Sequence, residues 1–228
     1  MSGIHCAIAG ATYINEPRPL AISVVGNAQV DTAQSKFGGA SLLLDGSGDY
    51  LTVNNSRGTL SFGTSADFTF EVWCRFPNTN TDQIMLTGPG QTSSFQLARL
   101  SSNVITVGRT NTAFDAYSSG SATTANVFQH IAASRSSGTL KIFVNGTEVY
   151  TGANALAYPC DTIMGIGGET VYGSTTNAHL DEVRVSNIAR YTTGFTPSAT
   201  PFTNDANTVF LCHMDGTDAS TTFTDDNA

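Results

Sequence analysis

An aromatic ring set in a loop can bind a sugar, because the apolar face of a pyranose covers the face of the ring. Four rings suit that chemistry: Trp73, Phe114, Tyr117 and Tyr172. Arg109, Asp115 and Asn177 could supply hydrogen bonds to hydroxyls. The competing role of each is a packed core ring or a solvated polar group. Asp45 and Asp49 flank Gly46-Ser47-Gly48 and could offer oxygens to a hard cation, or simply shape an Asp-Gly turn. The five glutamates, Glu16, Glu71, Glu148, Glu169 and Glu182, are scattered. There is no G-x-S-x-G, no H-E-x-x-H and no G-x-G-x-x-G, so no nucleophile elbow, zinc helix or dinucleotide loop is written in the chain. His5, His130, His179 and His213 fall in or near strand-like runs without metal-ligand spacing.

The elements that must position these residues are strands. Phe128–Tyr150 reads as a meander of three. His130–Arg135 comes first, and a Ser136-Ser137-Gly138 turn follows. Thr139–Val144 is next, with Leu140, Ile142 and Val144 on one face. Asn145-Gly146 then opens a hairpin, because both central residues of a type I′ turn need positive φ. Phe68–Phe76 alternates with Phe68, Phe70, Val72, Cys74 and Phe76 on the better core face. Trp73 on the other face is either covered by another layer or free for contact. In Ala178–Val185, strict alternation puts His179, Asp181, Val183 and Val185 together. Ser186–Tyr191 has room for one helical turn. About a dozen short strands with frequent turn signals imply a two-sheet sandwich.

Composition narrows the partners. Lys and Arg number 10 against 18 Asp and Glu, a formal charge of −8, and charged residues are only 12% of the 228. The scattered cations form no patch, so nucleic acid and a polybasic route to a membrane are excluded as expectations. No apolar run of about 18 residues is present, so membrane insertion is not expected. No charged n-region with a long apolar h-region follows Met1. Cys6, Cys74, Cys160 and Cys212 form no C-x-x-C and are either buried thiols or partners in a disulfide.

Four stretches resemble the concanavalin A-like, laminin-G-like jelly-roll superfamily. They are Ser35–Ser41 leading into Leu44–Leu51, Phe68–Cys74, His130–Arg135 with Leu140–Gly146, and Leu180–Ser186. The resemblance implies an all-β, antiparallel two-sheet jelly-roll sandwich over residues 21–214. Residues 1–20 would form an irregular arm and 215–228 an acidic tail or the start of a linker. Members bind glycans, bind proteins or hydrolyse glycosides, and similar copies are frequent in phage virions and bacterial surface proteins. A hydrolase of this superfamily carries E-x-D-x-x-E on one strand, and no two glutamates here have that spacing. The resemblance also implies a structural Ca²⁺ held by Asp181 with a carbonyl of Gly39. The expectation is therefore a non-enzymatic structural or interaction module of a virion or surface assembly, facing the exterior and contacting neighbouring subunits. The alternative is a carbohydrate-binding adhesion module.

Overall fold

A computed structural model describes residues 19–78, 80–88, 94–109, 114–120, 122–168 and 176–227. In chain order the strands are β1 (Ile22–Val25), β2 (Gln29–Asp31), β3 (Ser41–Asp45), β4 (Tyr50–Asn54), β5 (Phe68–Arg75), β6 (Gln83–Thr87), β7 (Phe95–Arg99), β8 (Ile105–Arg109), β9 (Phe114–Tyr117), β10 (Gln129–Ser136), β11 (Thr139–Val144), β12 (Thr147–Ala153), β13 (Ile163–Ile166), β14 (Asn177–Ser186) and β15 (Thr208–Cys212). No helix occurs among the described residues. One sheet runs β1-β4-β13-β6-β7-β8-β9. The other runs β12-β11-β10-β5-β14-β3-β2, with β15 paired to β14. All pairings between these strands are antiparallel.

The sheets bury one shared core. The alternation of β5 sends Phe68, Phe70, Val72 and Cys74 inward with Phe76 behind them, and all five are fully buried. Phe70 stacks on Phe95 of the opposing sheet, with centroids 4.3 Å apart and 11° between planes. Each fully buried aliphatic or aromatic side chain contributes about 1.5–3 kcal/mol. The hairpin chemistry holds as read: Asn145 and Gly146 take φ 50° and 76°, and Ser137 and Gly138 take 48° and 78°. Cys74, Cys160 and Cys212 are free and buried, whereas Cys6 lies outside the described residues.

Three local readings are corrected. In β14, Asp181 pairs with Trp73 and Arg184 with Glu71, so Glu182 and Val183 together oppose Val72. Glu182 is a β-bulge residue with φ 52°. The extra residue switches the faces. Ala178, Leu180, Val183 and Val185 enter the core, while Asp181 and Glu182 lie side by side on the outside. Second, Ser186–Tyr191 makes bends, not a helical turn, because Arg190 N is engaged by Thr69 Oγ1 at 2.9 Å. Third, residues 215–227 do not trail away. Ala219 N donates to Val30 O and Val30 N to Ser220 O, both at 2.8 Å, which occupies the open edge of β2. Asp225 accepts from Leu20 N at 2.7 Å and Leu211 N at 3.1 Å, and Phe223 is buried.

Candidate functional site

The aromatic candidates separate cleanly. Trp73 is 5% exposed and packs with Phe202, Leu211, Phe37 and Phe128 on the outer face of its sheet, so it is not a free ligand platform. The physical reason is the segment after β14. It crosses this face to bury a polar centre, in which Glu71 accepts from Arg184 Nε at 2.8 Å and Tyr191 OH at 2.7 Å and meets His130 Nε2 at 3.0 Å. The layer that satisfies Glu71 also covers Trp73. Tyr172 lies outside the described residues.

Phe114 and Tyr117 do come together. Residues three apart in a regular strand point to opposite faces. Here Val107 pairs with Ala116 and Gly108 with Phe114, so Asp115 is an extra residue in β9. Ala116 is buried in the core, and the bulge returns Phe114 to the same outer face as Tyr117. Their rings meet edge to face at 5.8 Å and 78°. Gly108 makes room for this: a Cβ there would stand 2.7 Å from a Phe114 ring carbon. The register continues the surface inward through Gln96 beside Gly108 and Thr106 beside Tyr117. Thr87, next to Gln96, has a buried hydroxyl without a partner. Tyr117 is 48% exposed and, with Val127, is one of two exposed large hydrophobic side chains among the described residues.

The predicted hydrogen-bonding residues are placed differently. Arg109 bonds Asp115 through Nε at 3.2 Å and Nη2 at 3.3 Å. Asp115 also accepts from Tyr158 OH at 3.3 Å, and Tyr158 is fully buried. The bulge turns Asp115 inward, so this pair caps the core and does not reach out beside the rings. Asn177 opens β14 of the other sheet and reaches the Gln83 side chain of this one. Its N–H donates to Gln83 Oε1 at 2.6 Å, on β6, with β7 and β8 between it and β9. It lines an open cavity of about 560 Å³ with Asp45, Asn78 and Asp82. Asp45 and Asp49 serve turns: Asp49 accepts from Asn27 N and Asp45 N, and Asp45 accepts from Ser47 N and Asn27 Nδ2. Those bonds, with Asn27 foremost, hold the Asp45 carboxyl below its ordinary range.

The glutamates are held by internal partners. Glu71 and Glu182 are fully buried, and Glu148 pairs with Lys141 at 2.5 Å. Glu16 and Glu169 lie outside the described residues.

Asp181 is the one expected metal ligand with an unmet need. Its Oδ2 accepts from Lys36 N at 2.7 Å and Phe37 N at 3.1 Å. Its Oδ1 is buried with no partner. Among the described residues no basic side chain pairs with it, since Lys36 Nζ lies over the Trp73 ring at 4.1 Å. Burial, followed by the neighbouring Glu182 and Asp215 charges, raises its pKa to about 7, against the backbone donors. Gly39 is in the same loop with φ 90°. No group of three or more His, Cys, Asp or Glu side chains among the described residues could hold a metal. A hard cation here would therefore draw on backbone carbonyls, as Ca²⁺ sites commonly do. Sequence reasoning missed the bulge residue Glu182 and the space that Gly108 leaves for Phe114.

A family profile described as the concanavalin A-like lectin/glucanases superfamily matches residues 45–193. The chain belongs to that superfamily. No curated protein matches the sequence. Its fold is similar to the binding domain of botulinum neurotoxin serotype G, with TM-score 0.60 and 12% identity over 75% of this chain and 44% of that one. It is similar also to the binding domain of Paraclostridial Mosquitocidal Protein 1, with TM-score 0.59 and 13% identity over 75% and 45%. A putative carbohydrate binding protein from Bacteroides ovatus gives TM-score 0.55 and 13% identity over 88% and 53%. The chain thus spans about half the length of these solved structures or less. At such identities the likeness is one of fold.

Proposed function

We propose that this chain is a non-catalytic glycan-binding module whose sugar platform is the Phe114–Tyr117 pair on the outer face of β9. The observation that carries this reading is the half-exposed Tyr117 ring, held edge to face by Phe114 through a bulge. A preset ring offers stacking area at little entropic cost. Gln96, in the adjoining row beside Gly108, supplies an amide group for sugar oxygens. The toxin binding domains and the putative carbohydrate binding protein of similar fold support the same class. We further propose that Asp181 and a Gly39 carbonyl hold a Ca²⁺ ion, which would neutralise a carboxylate that the fold buries without a counter-charge.

The test is a glycan array probed with the purified chain and with Tyr117→Ala. Binding by the native chain that the substitution removes, at unchanged melting temperature, is the expected result. Equal binding by Tyr117→Ala, or a silent array, overturns it. A second reading is a structural subunit of a virion or surface assembly. Its support is β12, the outermost strand of its sheet, with Thr147, Glu148, Thr151 and Ala153 exposed. A silent array together with particles or oligomers of defined mass by light scattering favours that reading.

A further inference from the structure

The segment that follows β15 returns to the loop that cradles Asp181. Met214, two residues past the end of β15, takes a left-handed backbone, φ 61°. The Asp215 carboxylate then fills the space that a side chain on Gly38 would need. Asp181 reaches the same loop from the other side, through the N–H groups of Lys36 and Phe37. Two carboxylates therefore converge on residues 36–38. His213, two residues before Asp215, is engaged with Glu182 at 2.6 Å. The buried, partnerless Oδ1 of Asp181 is an independent sign that a ligand belongs there. Beyond Asp215 the chain closes the edge of β2 through Ala219 and Ser220, Asp218 accepts from Thr32 N at 3.1 Å, and Asp225 receives Leu20 N.

We infer that Asp215 is a second carboxylate ligand for a cation bound at Asp181, and that the cation acts as a latch fixing residues 215–227 onto the β2 edge. The inference rests on the calcium reading above and adds to it. Calcium suits two carboxylates completed by carbonyl oxygens. Any ligand that binds only the closed arrangement stabilises it by mass action. The coupling assigns the C-terminal segment a conditional role: it guards the open sheet edge when calcium is present and frees it when calcium is removed.

The experiment uses the whole chain. Calorimetric titration with CaCl₂ after chelator treatment compares the native protein, Asp181→Asn and Asp215→Asn. Hydrogen exchange of the native protein is followed with CaCl₂ and with chelator. Expected are calcium binding by the native chain, its loss in Asp181→Asn, and roughly tenfold or greater weakening in Asp215→Asn, as one of two charged ligands goes. Amides of 217–226 should exchange about tenfold more slowly with calcium, because local opening is linked to ligand binding. Native-like affinity in Asp215→Asn overturns the latch and leaves calcium at Asp181 intact. Calcium binding without altered exchange in 217–226 overturns it too, with no dependence on how the variants fold. A native chain that binds no calcium removes both readings.

Discussion

Replacing Glu71 with alanine tests whether the outer layer is held by one buried carboxylate. Glu71 is fully buried and makes three hydrogen bonds of 2.7–3.0 Å, to Tyr191, Arg184 and His130. Removing it strands an Arg184 guanidinium whose side chain is only 8% exposed, together with a buried imidazole. Breaking a buried ion pair by deleting one partner costs about 3–5 kcal/mol, mostly through the uncompensated charge left behind. For a domain of this size that corresponds to a fall in melting temperature of roughly 6–20 °C. Urea unfolding followed by tryptophan fluorescence reads it well, because Trp73 lies on the same face and its ring is 5.4 Å from His130. The midpoint should fall with an unchanged denaturant slope. Glu71→Met with Arg184→Met should cost less than the sum of the two single changes, since neither charge is then orphaned. A Glu71→Ala loss below about 1 kcal/mol would refute the reasoning, because it would place the group among exposed pairs. Burial by itself would raise the Glu71 pKa, but the His130 bond and charge and then Arg184 outweigh it and lower it from 4.5. The folded value lies below the unfolded one. The stabilisation is therefore complete above about pH 4.5 and lost as pH falls through the depressed folded value. Chemical denaturation between neutral pH and pH 3 should show acid loss that Glu71→Gln lacks.

Other outcomes follow from the same geometry. Gly108→Val should push Phe114 out of its place, abolishing array binding at a stability cost of about 1–3 kcal/mol from overpacking, measured by thermal unfolding. Gly146→Ala should destabilise by about 1–3 kcal/mol or more, since φ is 76° and the new Cβ would collide with the Phe195 carbonyl. Phe70→Ala should cost about 3–5 kcal/mol by emptying the stack on Phe95. A smaller loss in either case, measured by urea midpoint, would mean that the core or the turn repacks.

What the sequence showed and what it hid have one physical cause. Side-chain period 2 holds wherever a strand pairs one residue with one residue. It holds between β5 and β10, where every inward residue of Phe68–Arg75 was legible, and between β10 and β11 of the meander. It fails where a bulge inserts an extra residue, and both candidate sites lie at such points. At β14, Leu180 and Val183 both had to reach the core with two acids between them, which a strict alternation cannot satisfy. At β9, Phe114-Asp115-Ala116-Tyr117 gave no warning from its own residues, because the cue is Gly108 on another strand. The burial of Trp73 was also invisible locally, since it depends on Phe37, Phe128 and Phe202 from distant segments. Regular strands build the sandwich, and bulges aim the residues with chemistry to do. In a pleated sheet, two neighbouring side chains reach the same face only where the ladder is broken. A run of two polar residues between obligatory core positions therefore marks a bulge, as Asp181-Glu182 does between Leu180 and Val183.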